Sequence, residues 1–152
     1  RNIKTAMAHA APSNLDIDYR ATTVENLAEE KTAPFDIVLN LEVVEHVADV
    51  ELFLKTSAGL VKPGGMMVMA TLNRTLKALA LAKVGAEYIL RWLPPGTHDP
   101  RKFVKPEEAK TALVNAGLTV TAEAGVTYNP LMDIWRIGDD VSVNYMLTAV
   151  KG

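Results

Sequence analysis

The sequence predicts an α/β fold, a sheet with helices on both faces, and three observations support this prediction. The first is the apolar run from Phe35 to Leu41, which is typical of a strand covered on both sides. The second is the turn sequence Lys62-Pro63-Gly64-Gly65, which precedes another apolar run at 66–71. The third is the alternation of helical and extended patterns along the chain, which favours a layered sheet.

The first part of the chain predicts two helices with a strand between them. Residues 2 to 11 are rich in alanine, as expected of a helix. Apolar and polar side chains alternate from 15 to 19, which predicts a short strand. Thr22 or Thr23 can cap a second helix that runs to about Lys31.

Helices and strands continue to alternate after the first buried strand. Asp49 can cap a helix that ends near Lys62. Pro106 suits the first turn of a later helix, which Gly117 closes. Two terminal strands, at 118–124 and 141–150, are expected to add an antiparallel edge to a mostly parallel sheet. Tyr128, Trp135 and Tyr145 are expected in these terminal strands, where one or more could line a phenol pocket.

Length and composition restrict the classes of protein to consider. The 152 residues correspond to one domain, residues 1–152. A net charge of −2 and a pI near 5.9 do not suggest a nucleic-acid binder, so no nucleic acid is expected as a partner. The absence of cysteine rules out disulfides and fits a reducing compartment. Arg1 is followed by residues that read as the middle of a helix, so we expect the sequence to begin inside a longer protein.

A basic, apolar segment at about 74–105 is predicted to be a helical insertion in this domain. It contains seven Lys and Arg against Glu87 and Asp99, a net charge of +5, whereas the other residues carry 9 basic and 16 acidic groups. The predicted helix at 76–93 is apolar except for a few charges such as Lys83 and Arg91. This composition favours a helix lying on an anionic bilayer, and a lid over the active site is the alternative.

Three potential metal ligands follow the first buried strand. Glu42, Glu45 and His46 are spaced i, i+3, i+4 and share one face if the chain makes a helical turn there. Two carboxylates and an imidazole suit Mg²⁺, Mn²⁺ or Zn²⁺. The alternative is that these residues cap the next helix or border a ligand pocket without a metal. His46 is also a candidate general base.

Several motifs resemble the class I S-adenosylmethionine-dependent methyltransferases. Phe35-Asp36-Ile37-Val38, Glu45-His46-Val47 and Leu60-Val61-Lys62-Pro63-Gly64-Gly65 are similar to the second half of that fold. Further blocks closely resemble the ubiquinone-biosynthesis O-methyltransferase family. These blocks are Glu42-Val43-Val44-Glu45-His46-Val47, Thr71-Leu72-Asn73-Arg74, Val84-Gly85-Ala86-Glu87-Tyr88-Ile89-Leu90-Arg91, Gly96-Thr97-His98-Asp99 and Asn144-Tyr145-Met146-Leu147.

The resemblance implies a Rossmann-like sheet and a specific reaction. The activity expected is S-adenosylmethionine-dependent O-methylation of ring hydroxyls on polyprenylated phenol or catechol intermediates. The family's Gly-rich methyl-donor loop and first strands are absent from this sequence, which resembles the C-terminal portion of the enzyme. A methyltransferase for another phenolic small molecule and a non-catalytic membrane-binding fragment are the alternatives.

The resemblance also implies particular site residues and partners. Leu41 matches a position that touches the methyl donor, and Thr23 and Val24 follow the strand beside which the adenine is received. A core leucine and simple helix capping are the respective alternatives. Glu42, Glu45 and His46 match positions that bind Mg²⁺. The expected location is cytoplasmic, at the inner face of the membrane, in contact with anionic lipid and possible partners from ubiquinone biosynthesis.

Overall fold

The computed structural model describes residues 2–81, 99–129 and 132–152. The chain divides into two compact units, Arg1–Thr32 and Ala33–Gly152. The first unit contains α1 (Asn2–Ala10) and α2 (Val24–Glu29). The second contains the sheet and the later helices. The single domain expected over residues 1–152 stays a prediction.

The strand expected at 15–19 is wrong. No strand is assigned to these residues, and Leu15 and Ile17 are 65% and 44% exposed. Alternation of side chains gives a strand only where a neighbouring strand pairs with it and a core covers one face. Neither condition holds here among the described residues. The second helix is confirmed, with Thr23 as its N-cap.

The second unit is built on a five-stranded sheet whose spatial order is β1-β2-β5-β3-β4. The strands are β1 (Phe35–Leu41), β2 (Val61–Leu72), β3 (Leu118–Asn129), β4 (Ile134–Gly138) and β5 (Asn144–Lys151). The helices are α3 (Val50–Gly59), α4 (Leu76–Leu79) and α5 (Pro106–Asn115). The α/β class predicted from the sequence is confirmed.

The sheet is mixed. β1 and β2 run parallel, joined through α3, whereas β2 with β5, β5 with β3 and β3 with β4 are antiparallel. The antiparallel C-terminal edge expected from the sequence is therefore present. In the part of the chain that the structure describes, antiparallel pairings outnumber the single parallel one.

The turn between α3 and β2 is shorter than expected. α3 begins after Asp49, whose side chain accepts a hydrogen bond from the Leu52 amide at 2.9 Å, but the helix ends at Gly59 and not near Lys62. β2 begins at Val61 and therefore includes Pro63, Gly64 and Gly65. At Gly65 a Cβ would approach the Asp36 carbonyl oxygen to 2.7 Å, so only glycine fits this close pairing of β2 with β1.

The core lies between one face of the sheet and the helices α3 and α5. The cross-strand registers Met69–Leu147 and Thr71–Tyr145 place these side chains on the covered face, where all four are fully buried. The helices contribute further buried side chains, among them Leu54, Ala58, Ala109, Ala112 and Leu113. Burial of this one face fixes the register of the strands that it covers.

The opposite face of the sheet, here called the open face, is much more exposed. Ile37, Leu39 and Leu41 of β1 lie on it and are 55%, 59% and 48% exposed. Their register partners on β2 are Met66, Val68 and Ala70. The prediction that Phe35 to Leu41 forms a strand is confirmed, but the expectation that both its faces are buried is wrong, because the covering helices of this unit pack on the other side.

The terminal strands differ from the sequence prediction. β3 extends five residues further than expected, and β4 was missed because its five residues are all exposed and carry no burial pattern. The placement of Tyr128, Trp135 and Tyr145 in terminal strands is confirmed.

The predicted helix at 76–93 is described only at its start, as α4, and residues 82–98 lie outside the described residues. None of the described helices has the length and apolar character needed to cross a membrane.

Candidate functional site

The carboxyl ends of β1 and β2 lie side by side and define the candidate site. Leu41 at the end of β1 is in register with Ala70, and Leu72 at the end of β2 is in register with Asn144 at the start of β5. Ligands of open α/β sheets bind at this edge, because the loops that leave the strands there diverge and form a crevice.

A sharp turn directly after β1 brings the three predicted ligands to this edge. Glu42 has a left-handed backbone, with φ at 54°, while its amide still donates to the Ala70 carbonyl at 2.8 Å. A positive φ is uncommon for a residue with a Cβ, and such residues cluster at functional sites. A 3₁₀ turn, Val44–His46, follows and reverses the chain into α3.

Glu45 points from this turn into the protein. Its side chain is 3% exposed, and its Oε2 accepts a hydrogen bond of 2.7 Å from the Oγ1 of Thr71, which is fully buried. The bond joins the turn after β1 to the last residues of β2. A buried carboxyl group is stable only when its oxygens have such donors.

His46 lies beside Glu45 but is exposed to solvent. Its side chain is 54% exposed, and its Nε2 lies 3.9 Å from Oε1 of Glu45. This separation is too long for a hydrogen bond but allows an ion pair when the imidazole is protonated. An exposed imidazole beside a buried carboxyl group can take a proton from a bound molecule, and the carboxyl group stabilises the resulting cation.

Glu42 completes the group. The pKa of Glu42 is raised from 4.5 to about 7. The largest cause is loss of hydration at its carboxyl group, followed by the negative charge of Glu45 and a hydrogen bond between the two carboxyl groups. At neutral pH the Glu42 carboxyl group is therefore protonated in a large fraction of molecules. Two carboxyl groups placed this close favour sharing a proton.

Binding of a metal ion by Glu42, Glu45 and His46 stays a prediction. In the described ranges, no group of three His, Asp or Glu side chains is placed to hold one. The Glu45 carboxyl group accepts from Thr71, is bonded to Glu42 and lies 3.9 Å from Nε2 of His46. The helical turn assumed from the spacing is replaced by a left-handed residue, Glu42, and a 3₁₀ turn.

The predicted donor-binding residues lie in both units. Leu41 is on the open face at the tip of β1, half exposed and not part of the core. Thr23 accepts a hydrogen bond of 3.3 Å from the Asn26 amide and caps α2, in which Val24 is the first residue. Helix capping thus accounts for Thr23 locally, and donor contact by these three residues stays a prediction.

Two residues that support the site were not singled out as site residues from the sequence. One is Thr71, and the other is Arg74, whose guanidinium group donates to Glu108 at 2.6 and 3.1 Å and to the Phe103 carbonyl at 2.6 Å. Both come directly after the apolar run of β2. Their position at the carboxyl end of a predicted strand is the sequence signal that could have identified them. Arg74 ties this end of β2 to α5.

A cavity of about 710 Å³ opens beside Arg74, between the first turns of α3 and α5. Its walls are apolar at three valines and charged elsewhere, with cations at Arg74, Arg101 and Lys102 and carboxylates at Glu51, Glu107 and Glu108. The cavity adjoins the turn after β1, because Val44 and Val47 flank Glu45 and His46.

A mixed α/β sheet with polar side chains at the carboxyl ends of parallel strands defines a class of small-ligand-binding enzyme domains. Within that class, residues 4–123 match the family model described as "Methyltransferase domain". The chain therefore belongs to the methyltransferase-domain family.

The chain is also similar to curated proteins. It is 56% identical over 151 residues to a ubiquinone biosynthesis O-methyltransferase of Caulobacter vibrioides, and 60% identical over 150 residues to one of Brucella anthropi. Each alignment covers 99% of this chain and 60% of the relative. The chain thus spans about three fifths of the length of these relatives.

Solved structures share the fold at low sequence identity. A S-adenosylmethionine-dependent methyltransferase of Clostridium acetobutylicum superposes with a TM-score of 0.66 at 10% identity, covering 99% of this chain and 71% of that chain. Magnesium protoporphyrin IX methyltransferase of Synechocystis, solved with bound SAH, gives a TM-score of 0.62 at 14% identity, covering 99% and 59%. These likenesses support the fold class.

The raised pKa of Glu42 predicts a specific pH dependence of stability. The folded chain holds the Glu42 proton up to about pH 7, whereas the unfolded chain releases it near pH 4.5. The stability contribution of this residue is therefore complete below pH 4.5 and is lost as pH rises to 7. Glu42→Gln has no proton to lose, so we expect its free energy of unfolding to exceed that of the wild type above pH 7 and to match it near pH 4.

Urea denaturation between pH 4 and 8 measures this difference. Glu51→Gln, which neutralises an exposed carboxylate in the first turn of α3, is the matched control and should gain no stability with rising pH. A constant difference between Glu42→Gln and wild type across this range would contradict the assignment.

Proposed function

We propose that this chain is part of an enzyme that transfers the methyl group of S-adenosylmethionine to a ring hydroxyl of a polyprenylated phenol or catechol in ubiquinone biosynthesis. The observation that carries the proposal is the Glu45–His46 pair, at the carboxyl end of β1 in a methyltransferase-family chain. The names of relatives 56% and 60% identical to this chain support the choice of substrate.

The methyl donor is proposed to contact Leu41, Thr23 and Val24. Leu41 offers a half-exposed apolar side chain at the tip of β1, which suits the uncharged part of a nucleoside. Thr23 caps α2 and Val24 is the first residue of this helix. The donor is a sulfonium, so the leaving group needs no activation. The enzyme's remaining tasks are to align the acceptor oxygen and to remove its proton.

His46 is proposed as the general base for this proton. Its imidazole is accessible to an acceptor bound at the sheet edge, and the inward-pointing Glu45 stabilises the imidazolium that forms. The bond from Thr71 holds Glu45 in place through the reaction. The acceptor oxygen attacks the methyl carbon, the carbon–sulfur bond breaks, and its electron pair stays on sulfur as the neutral thioether.

Mg²⁺ receives less support as a second cofactor. Among the described residues no group of three ligands is placed to hold the ion, and its binding by Glu42, Glu45 and His46 stays a prediction. The proposed mechanism therefore contains no step that depends on a metal.

Contact with an anionic membrane is proposed through the basic segment at 74–105. Of its described cations, Arg101 is 88% exposed in its side chain, and Lys102 is exposed as well. A membrane surface would bring the enzyme to a substrate whose prenyl tail resides in the bilayer. Association with other proteins of ubiquinone biosynthesis is compatible with this location. A non-catalytic fragment is the second candidate, because the chain covers only 60% of its relatives.

Donor binding is the first test. Isothermal titration with S-adenosylhomocysteine should give binding heat, and Leu41→Ala should weaken the affinity by about threefold to tenfold, because apolar contact with the ligand is lost. Leu52→Ala, on the exposed side of α3, is the matched control and should leave the affinity unchanged. No heat from a chain whose circular dichroism shows it folded would support the non-catalytic fragment.

Loss of the general base should reduce turnover without affecting donor binding. His46→Ala is expected to lower kcat for methylation of a catechol by about a hundredfold or more. The affinity for S-adenosylhomocysteine should remain that of the wild type. His9→Ala, at an exposed histidine of α1, serves as control. An unchanged kcat in His46→Ala would exclude His46 as the base.

Membrane binding depends on positive charge in the basic segment. Reversal of Lys83, Arg91, Arg101 and Lys102 to Glu should abolish binding to liposomes containing phosphatidylglycerol, because attraction to anionic headgroups is replaced by repulsion. Cosedimentation measures the bound fraction. Reversal of Lys4, Lys31 and Lys55, which lie outside the segment, should reduce it much less. Undiminished binding by the first variant would refute the membrane role.

A further inference from the structure

The cavity of about 710 Å³ between α3 and α5 has an apolar floor. Val44, Val104 and Ala112 line it and are only 1%, 4% and 6% exposed, so they form the part of the lining that solvent reaches least. Val47 and Val50 also line it and are half-buried. A cavity of this volume lies within the range that holds small organic ligands.

The charged side chains at this cavity are exposed and form its rim. Among the described residues the rim has three cations and three carboxylates, which are Arg74, Arg101, Lys102, Glu51, Glu107 and Glu108. Arg74 is paired with Glu108, and Glu107 lies 3.0 Å from Nζ of Lys110. A rim of balanced charge gives an anion no advantage over a neutral group. Together with the apolar floor, it favours an uncharged, apolar occupant.

The described walls of the cavity all belong to the second compact unit, residues 33–152. They are the turn after β1, the first turn of α3, the residue Arg74 after β2, and the segment from 101 to 112. Hydrogen bonds hold these elements together. Arg74 donates to the Phe103 carbonyl at 2.6 Å, and the Tyr145 hydroxyl donates to the Val104 carbonyl at 3.1 Å. The fold of this unit therefore fixes the shape of the cavity.

The cavity and the proposed donor contact lie on opposite sides of the end of β1. Leu41 is on the open face, whereas α3 and α5 pack on the covered face. The turn after β1 connects the two sides, since Val44 and Val47 line the cavity and the exposed His46 lies between them in the chain. Neighbouring Cα atoms are about 3.8 Å apart. A molecule whose ring meets His46 can therefore place a substituent in the cavity without displacing the donor.

We propose that the cavity between α3 and α5 binds the isoprenoid units next to the acceptor ring, with Val44, Val47 and Val104 as their contacts. The inference rests on the proposed function, which places the acceptor oxygen at His46. A branched hydrocarbon has no hydrogen-bonding group to satisfy, so its transfer from water to valine side chains is favourable. Units beyond the cavity cross its rim, where Arg101 belongs to the segment proposed to contact the membrane.

Binding of catechols with and without a tail tests the inference. The chain is titrated calorimetrically with 3-methylcatechol and with 3-geranylcatechol. The wild type should bind the geranyl compound about tenfold or more tightly, because its first isoprenoid units enter the cavity. Thr111→Trp places a large ring at an exposed position of the rim. We expect it to reduce the preference to about twofold or less and to leave the affinity for 3-methylcatechol unchanged.

Two further variants control for position and folding. Val114→Trp introduces the same ring at an exposed position of the same helix, outside the described lining, and should keep the full preference. Ala48→Phe fills the cavity from the opposite wall and should reproduce the effect of Thr111→Trp. Circular dichroism and thermal unfolding establish that each variant is folded.

The outcomes separate this inference from the proposed function. A wild type that binds both catechols equally, or a preference that persists in Thr111→Trp and Ala48→Phe, would overturn the inference alone. A folded chain that binds neither catechol would overturn both. If the preference is lost in the cavity variants but the wild type forms no methylated product with S-adenosylmethionine, the proposed function falls and the cavity remains a prenyl site. Thermal destabilisation of Thr111→Trp but not of Val114→Trp, with an unchanged preference, would show that a segment of the chain fills the cavity and would contradict the inference.

Discussion

The buried hydrogen bond from Thr71 to Glu45 is the interaction on which the site depends. It joins residues 26 positions apart and ties the turn after β1 to the end of β2, so the two carboxyl ends act as one rigid edge. Glu45 is buried in this bond, whereas the neighbouring His46 is exposed to solvent. The Glu42 carboxyl group shares a proton with that of Glu45. The left-handed backbone of Glu42 is the strain that this geometry requires.

A second set of polar contacts holds the helices and the C-terminal strands to the same edge. Arg74 reaches α5 through Glu108 and Phe103, and the neighbouring Lys77 bonds to Asp140 and Ser142 just before β5. The buried Tyr145 hydroxyl donates to the Val104 carbonyl. The residues after β2 therefore connect every element that borders the site. The cavity between α3 and α5 and the β3–β4 hairpin are both positioned by these contacts.

Charge and apolar surface are distributed unequally around this edge. Charged side chains of both signs border the cavity on the side of α3 and α5, whereas Ile37, Leu39 and Leu41 lie on the open face.

The sequence by itself determined the local features. It predicted β1 from its apolar run, the caps at Thr23 and Asp49, the start and end of α5, and the nearness of Glu42, Glu45 and His46 to a strand end, because each depends on residues adjacent in the chain. Only the tertiary structure decided which way these side chains point, which face of the sheet is covered, and that the exposed β4 exists at all. Those outcomes depend on partners far along the chain, such as Thr71 for Glu45 and β3 for β4. The same reason explains why the strand predicted at 15–19 does not form. Its side chains alternate, but no strand pairs with these residues in the part of the chain that the structure describes.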